Sequence, residues 1–419
     1  QERVSLWARH APGLTVFAAN IAIMAIELTA GRLVSRYLGM SLYTWTALIG
    51  AIMAGMAIGN ILGGRIADRR RPLHALAALF LLAAAGCVAL LPGNLLLGGF
   101  ALLALLPWPV RIFLHIAALF TLPAILLGAI GPVVARYAIA RAPHASGRIV
   151  GALFAWSVAG SILGTFLTGY VLVFVLGARA IFLSAAAALA ALGMAYALQA
   201  RRVDDSRPET PYAATLPLPA AKRFAPAAAV FASNLAFMIL EMAAARIVAR
   251  EFGGSIYTWT TVIGVVLAGV SLGNWIGGQI ADRKAGAGTL AALFLIGSIA
   301  AAAAPWLSQA AGVLVRESPV LSNRALPLQI LVFLAIPFFL PCVLMGTISP
   351  VAVKRALDNG WTAGHAVGAI YAWGSVGGIA GTFLTGYFLI AWIGSLPTVA
   401  LAAAIMAAAA AVHAKDGIA

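Results

Sequence analysis

Residues 20–69 read NIAIMAIELTAGRLVSRYLGMSLYTWTALIGAIMAGMAIGNILGGRIADR, and residues 234–283 read NLAFMILEMAAARIVAREFGGSIYTWTTVIGVVLAGVSLGNWIGGQIADR. The two stretches align without a gap and are identical at 26 of 50 positions. Identity at this level indicates an internal repeat, in which one structural unit occurs twice. Each copy contains a long apolar helix with one glutamate, a turn, a helix with regularly spaced glycines and a final Asp-Arg pair.

The composition of the chain excludes a soluble globular protein. Of its 419 residues, 63% are hydrophobic and 9% are charged, whereas soluble domains carry about 25% charged residues. A helix needs about 20 apolar residues to cross a bilayer. We predict an all-α membrane protein with 12 transmembrane helices, at residues 13–35, 42–64, 73–92, 111–135, 150–175, 180–199, 226–248, 256–280, 289–306, 327–352, 366–392 and 397–413. Residues 93–110 are predicted to form an outer interfacial loop.

The basic residues predict the orientation of the chain. The net charge is +15, but the Lys and Arg residues flank the predicted spans, which argues against a nucleic-acid partner. With a cytoplasmic N-terminus, nineteen of the 27 Lys and Arg residues fall on the inner side, as the positive-inside rule requires. We predict a multi-pass inner-membrane protein with both termini cytoplasmic. The polar residues 201–224 form a cytoplasmic linker between an N-terminal half, 1–200, and a C-terminal half, 225–419.

Equivalent positions of the repeat are separated by an even number of predicted spans. The halves should therefore be parallel six-helix repeats, related by an axis along the membrane normal. Each copy also contains three glycines spaced four residues apart, which we call a glycine column. Such a column either allows another helix backbone to approach closely or marks an interface that moves. These glycines stand at positions 55, 59 and 63 in the second span, and at positions 269, 273 and 277 in the eighth. Residues 151–170 also match residues 368–387 at 13 of 20 positions.

A short motif follows the second span, at Gly64, Asp68 and Arg69. It resembles the signature of the major facilitator superfamily, although Arg71 stands where that signature has a further glycine. The motif recurs at Gly278, Asp282 and Arg283. The resemblance implies alternating access, with the first, fourth, seventh and tenth spans lining a central cavity. It also implies that Asp68, Arg69, Asp282 and Arg283 gate the cytoplasmic helix ends.

Longer strings resemble the membrane part of fused major-facilitator/spermidine-synthase proteins. They include Tyr257-Thr-Trp-Thr, Gly346-Thr-Ile-Ser-Pro350 and Gly381-Thr-Phe-Leu-Thr-Gly386. The sequence contains no strand–glycine-rich loop–helix unit, so no enzyme activity is expected. The resemblance implies a transporter of a small cationic or amphiphilic substrate, with a polyamine as one candidate. The alternative is a membrane module that anchors or feeds a separate spermidine-synthase-like enzyme without transport.

Glu27 and Glu241 are the acids that fall inside the predicted spans, and they are related by the repeat. An ionised group at the bilayer centre costs about 2.5–3.5 kcal/mol, which favours a binding role for a cation or a proton. A diamine could neutralise both carboxylates, with protons replacing it on release. The alternative is an internal ion pair, for example with Arg32 or, in the second half, Arg246. Because Glu27 and Arg32 are five residues apart, roughly 140° around a helix, such a pair would have to form across helices.

Other polar residues in the spans complete the predicted site. Asn20 and Asn234 lie two turns before the glutamates on the same helix face and should add polar contacts. His115 has no counterpart in the repeat, and it is either a hydrogen-bonded packing residue or a titrating relay. Aromatic residues near the outer interface form a belt or line a cation path; they are Tyr43, Trp45, Tyr257 and Trp259. The sequence shows no metal-ligand cluster, nucleophile triad or phosphate loop, so no cofactor is expected.

Overall fold

The structure is a computed structural model that describes residues 6–39, 42–100, 105–202, 220–253, 256–284, 286–322, 324 and 326–418. Within these ranges, twelve helices are long and apolar enough to cross a membrane, and no residue is in a β-strand. The predicted all-α membrane fold with twelve spans is therefore confirmed. Most of the predicted linker, 203–219, lies outside the described residues.

The helices run longer than the minimum needed to span a bilayer. Those of the first half are α1 (Leu6–Leu38), α2 (Leu42–Arg69), α3 (Pro72–Gly98), α4 (Trp108–Ile139), α5 (Ser146–Leu167) and α6 (Ala178–Arg202). Those of the second half are α7 (Ala220–Phe252), α8 (Ile256–Arg283), α9 (Ala287–Glu317), α10 (Leu326–Asp358), α11 (Ala363–Ile393) and α12 (Ser395–Ile418). Single π-helical turns interrupt α10 at Ala335–Phe339 and α11 at Thr385–Leu389, and another follows α5 at Thr168–Leu172.

The predicted loop at residues 93–110 is wrong at both of its ends. Helix α3 continues through Pro92 and ends at Gly98, and α4 begins at Trp108. A proline inside a transmembrane helix is tolerated because neighbouring groups can compensate for the lost hydrogen bond. The side chain of Asn94 lies in this extension, is buried, and donates to the carbonyl of Leu33 over 2.8 Å. That contact anchors the last turns of α3 to α1.

Contacts divide the chain into two compact units that exchange short segments. The first unit contains residues 1–143, 159–214 and 361–372. The second contains residues 144–158, 215–360 and 373–419. Compared with the predicted halves, the beginning of α5 belongs to the second unit, and the beginning of α11 belongs to the first.

The glycine columns of α2 and α8 pack each helix against another helix of its own unit. A Cβ atom on Gly59 would lie 2.2 Å from the carbonyl oxygen of Ile125 in α4. A Cβ atom on Gly273 would lie 2.0 Å from the carbonyl oxygen of Val343 in α10. Any side chain at these positions would push the backbones apart, since real atoms do not approach so closely. The columns therefore act as packing surfaces, which was one of the two interpretations that the sequence left open.

Candidate functional site

The carboxylate of Asp68, near the end of α2, binds the first turn of α11. Its Oδ1 accepts the backbone N–H of Gly364 at 2.9 Å, and its Oδ2 accepts that of His365 at 2.9 Å. The hydroxyl of Thr362 also donates to Oδ2. The first N–H groups of a helix have no partner inside the helix and carry partial positive charge, so a carboxylate satisfies both needs. Asp68 thus holds the ends of two helices together.

A buried arginine stands beside this carboxylate. The Nε atom of Arg136 in α4 lies 3.7 Å from Oδ1 of Asp68, and the Arg136 side chain is only 2% exposed. The adjacent Arg69 is exposed instead. The sequence motif at the end of α2 therefore supplies the carboxylate of Asp68, whereas the guanidinium group beside it is that of Arg136 in α4. Sequence analysis missed Arg136, although it is a basic residue just after an otherwise apolar stretch of α4.

The second repeat builds the same contact with a different cation. Asp282 of α8 accepts the backbone N–H of Gly147 at 2.7 Å and that of Arg148 at 3.0 Å, in the first turn of α5. The Nε atom of Arg148 lies 2.9 Å from the same carboxylate, but its side chain is 61% exposed. Arg283 is exposed. The two acids therefore share a helix-capping role, but the guanidinium group of Arg136 beside Asp68 is buried, whereas that of Arg148 beside Asp282 is exposed.

Glycines make this capping geometry accessible. A Cβ atom on Gly364 would lie 2.7 Å from Oδ1 of Asp68 and 2.4 Å from the carbonyl oxygen of Gly64. A Cβ atom on Gly147 would lie 2.6 Å from Oδ1 of Asp282. The glycines at the second residue of each capped helix thus leave room for the carboxylate. These two glycines occupy equivalent positions in the two halves of the sequence, but the sequence does not show which helices contact each other there.

Glu27 lies partly buried in the middle of α1, beside a small cavity of the first unit. The cavity measures about 20 Å³, enough for about one water molecule. Apart from Glu27, its walls are apolar; they are formed by Ile23, Ile26, Ile52, Met56, Phe120, Pro123, Ala124 and Leu127. Among the residues that the structure describes, Glu27 has no hydrogen-bond or ion-pair partner. A carboxyl group in this setting can hold a proton or attract a cation, since ionisation without a partner is costly there.

Glu241 occupies the corresponding place in α7 of the second unit. It is partly buried and, within the described part of the chain, has neither an ion-pair nor a hydrogen-bond partner. The ion pair considered from the sequence is not formed in the first unit, where Arg32 is exposed and its Nη1 lies 3.5 Å from the carbonyl of Val173. Arg246 is likewise exposed. That the two glutamates face each other across a cavity remains a prediction.

The two asparagines bond to their own helices rather than to the glutamates. The amide of Asn20 donates to the carbonyl of Val16 at 2.7 Å, and its Oδ1 accepts the hydroxyl of Ser161 at 3.3 Å. The amide of Asn234 donates to the carbonyl of Val230 at 3.0 Å. Asn20 therefore helps to attach α5 to α1.

His115 belongs to a buried polar cluster that joins three helices. Its Nε2 donates to Oδ1 of Asn94 over 3.0 Å, while Asn94 donates to the carbonyl of Leu33. His115 is 1% exposed, and the ring of Tyr37 lies 6.4 Å from its ring. This geometry is that of a packing histidine with its hydrogen bond satisfied. Sequence analysis missed Asn94, because residues 93–110 were assigned to a loop.

The aromatic residues predicted near the outer interface have side chains outside the described part of the structure; they are Tyr43, Trp45, Tyr257 and Trp259. A search of the described residues finds no group of three or more His, Cys, Asp or Glu side chains that could hold a metal ion.

Comparison with known proteins identifies the fold. No family model matches the chain. No curated protein matches it by sequence. Among solved structures, it is similar to the major facilitator superfamily proton:xylose symporter XylE bound to 6-bromo-6-deoxy-D-glucose, with a TM-score of 0.57, 15% identity, and coverage of 97% of this chain and 94% of that one. It is also similar to the human organic anion transporter MFSD10 (TETRAN), with a TM-score of 0.59, 12% identity, and coverage of 97% and 98%. The chain therefore has the fold of the major facilitator superfamily.

Proposed function

We propose that the protein is a secondary transporter that moves a small cationic or amphiphilic solute across the membrane by alternating access. The observation that supports this most directly is the pair Glu27 and Glu241. Each is a carboxyl group in the middle of a transmembrane helix, and the described parts of the chain offer it no counter-charge. Acids in such positions are costly to insert, which favours a role in binding or proton transfer over a structural one.

The charge of the two residues favours a cation as the substrate. Two carboxylates that share one solute would bind a diamine through both of its ammonium groups. A polyamine, which carries more than two amino groups, could bind in the same way. When the solute leaves, protons can replace it, because an unpaired carboxylate in an apolar environment gains by protonation. Proton–amine exchange is therefore the mechanism to test first. The solved structures of this fold include transporters of a sugar and of organic anions, so the fold alone does not select the substrate.

The helix-capping contacts support the alternating-access part of the proposal. Asp68 and Asp282 each bind the first turn of a helix from the other sequence half. Each contact depends on a few hydrogen bonds at helix ends, so it can break and re-form without unfolding either helix. We propose that these contacts stabilise one of the states between which the transporter alternates.

The test uses purified protein in proteoliposomes that carry an imposed pH gradient, with a panel of radiolabelled mono-, di- and polyamines. We expect uptake by the parent protein, and loss of uptake in Glu27→Gln and Glu241→Gln, because the amide keeps the size but removes the charge. Glu317→Gln is the matched control, since Glu317 is an exposed carboxylate at the end of α9. If the double Gln variant took up amines as well as the parent, the carboxylates would be structural.

The same assay separates the transporter from the alternative membrane module. A module that anchors or feeds a separate spermidine-synthase-like enzyme would show no uptake in proteoliposomes, with or without the pH gradient. It would instead bind that enzyme, which co-purification from cells that produce both proteins would detect.

A further inference from the structure

A pocket of about 310 Å³ lies in the second unit, where α7 and α9 end and α10 begins. It lies at the ends of three helices that are long and apolar enough to cross a membrane, and the ends of such helices are expected near the lipid headgroups. It is separate from Glu27 and Glu241, which lie in the middle of their helices. The residues that line it are Glu251, Phe252, Gly312, Val315, Arg316, Gln329 and Phe333.

The first repeat closes the corresponding place with a tyrosine. A Cβ atom on Gly98 would lie 2.5 Å from the ring of Tyr37, so this ring packs directly on the end of α3. Tyr37 corresponds to Glu251 in the repeat, and the same offset continues into the next helix, where LAALFL occurs at residues 76–81 and 290–295, so that Gly98 corresponds to Gly312. At Gly312, the nearest atoms are those of the flexible Arg316 guanidinium, at 3.4 Å. The pocket therefore exists because the second repeat carries a glutamate where the first carries an aromatic ring.

The polar side of the pocket is formed by the Glu251 carboxylate and the guanidinium group of Arg316, and the Arg250 guanidinium approaches the same carboxylate from outside the lining. Oε2 of Glu251 lies 3.2 Å from Nη1 of Arg316, and Oε1 lies 3.7 Å from Nη2 of Arg250. The two arginine side chains are 63% and 69% exposed. Exposed ion pairs contribute little to stability, so the Arg316 guanidinium can exchange the carboxylate for a ligand at little cost. A ligand that carries one negative and one positive group can then pair with an arginine and with the glutamate.

The apolar side of the pocket is formed by aromatic and aliphatic residues. The rings of Phe252 and Phe333 pack edge to face, with their centroids 5.3 Å apart. Val315 is buried beside them, whereas Leu326 and Leu328 at the start of α10 are exposed. A ligand with an apolar part can lie on these surfaces while its charged group remains at the end of the bundle.

We propose that this pocket binds a phosphate ester that carries a primary ammonium group, and that its source is the headgroup of an aminophospholipid. The phosphate pairs with Arg316, because a guanidinium group matches phosphate oxygens in geometry and charge. The ammonium group donates to Glu251. The glycerol and upper chain carbons lie on Phe252 and Phe333. A quaternary ammonium cannot donate these hydrogen bonds, so the site discriminates against it.

The test measures lipid binding to delipidated protein in detergent by native mass spectrometry and by the shift in apparent melting temperature. The probes are phosphatidylethanolamine, phosphatidylcholine, phosphatidylglycerol and free phosphoethanolamine. The first variant, Glu251→Tyr, fills the pocket as Tyr37 fills the first repeat. The second, Arg316→Gln, removes the phosphate-binding cation. Arg36→Gln is the matched control, because Arg36 is the first-repeat counterpart of Arg250 and is exposed.

We expect the parent and Arg36→Gln to bind phosphatidylethanolamine at least tenfold more tightly than phosphatidylcholine. Glu251→Tyr should lose this preference, and Arg316→Gln should bind phosphatidylethanolamine at least tenfold more weakly than the parent, while both variants elute from gel filtration like the parent. If only Glu251→Tyr failed to fold, parent-like affinity of Arg316→Gln for phosphatidylethanolamine would still refute the proposal. If free phosphoethanolamine bound as tightly as phosphatidylethanolamine, the chemistry proposed for the headgroup would be supported, but the ligand would come from solution instead of from a lipid. Equal binding of all four probes, or a preference for phosphatidylethanolamine that survives in Glu251→Tyr, would overturn the proposal.

Discussion

The contact of Asp68 with α11 allows a quantitative prediction for Asp68→Asn. The carboxylate accepts two backbone N–H groups and one hydroxyl. An asparagine offers one oxygen and one amide nitrogen, so at least one N–H of the first turn of α11 loses its acceptor. A hydrogen bond to a charged group contributes about 1.5–3 kcal/mol. Weaker attraction to Arg136 adds up to about 1 kcal/mol. The contact should therefore weaken by about 3 kcal/mol, or roughly 100-fold.

The assay reports opening of this contact through a buried cysteine. Ala67 is 2% exposed and precedes Asp68, so we expect a thiol at this position to react mainly when the helix ends separate. In protein with Cys87 and Cys342 replaced, the labelling rate of Ala67→Cys should rise roughly 100-fold when Asp68→Asn is added, since the rate follows the population of the open form. Thermal unfolding, followed in parallel, shows whether the whole fold is weakened as well.

Two matched variants decide whether the reasoning holds. Asp282→Asn loses the same kind of hydrogen bond but lies beside the exposed Arg148, so its effect should be smaller, about 2 kcal/mol. Arg69→Gln changes an exposed side chain and should stay within about 0.5 kcal/mol of the parent. Labelling of the Asp68→Asn protein at the parent rate would refute the capping role. An effect of Arg69→Gln as large as that of Asp68→Asn would show that the neighbouring arginine, rather than the helix terminus, is the partner that matters.

Three further predictions concern packing, the buried polar cluster and topology. Gly59→Ala should destabilise the protein by about 1–3 kcal/mol, because its Cβ has no room against α4, whereas Gly50→Ala, whose Cβ meets open space, should melt at or above the parent temperature. Asn94→Ala should cost about 1–3 kcal/mol, because the buried N–H of His115 loses its acceptor; unchanged thermal unfolding would contradict this. A cysteine at Ser206 should react with a membrane-impermeant reagent only after cells are opened, and labelling of intact cells would reverse the predicted orientation.

The repeat and the composition determine much of this protein without any coordinates. Hydrophobic runs define the helices, because a bilayer requires about 20 apolar residues whatever the neighbours are. The repeat identifies Glu27 and Asp68 as residues of interest, because their counterparts recur at the same positions of the second copy. These are local properties or comparisons along the chain, so the sequence alone can carry them. The end of α3 was misjudged because prolines and glycines indicate a break only when no other helix compensates.

The partners of these residues depend on the tertiary structure. Asp68 binds the start of α11, almost 300 residues later in the chain, and Arg136 approaches it from α4. His115 is paired with Asn94 from another helix. No periodicity encodes such contacts, because they depend on which helix faces pack together and how closely the backbones approach. The sequence shows which groups are costly to bury, and only the packing of the helices decides which of them are satisfied and which, like Glu27, have no hydrogen-bond or ion-pair partner among the described residues.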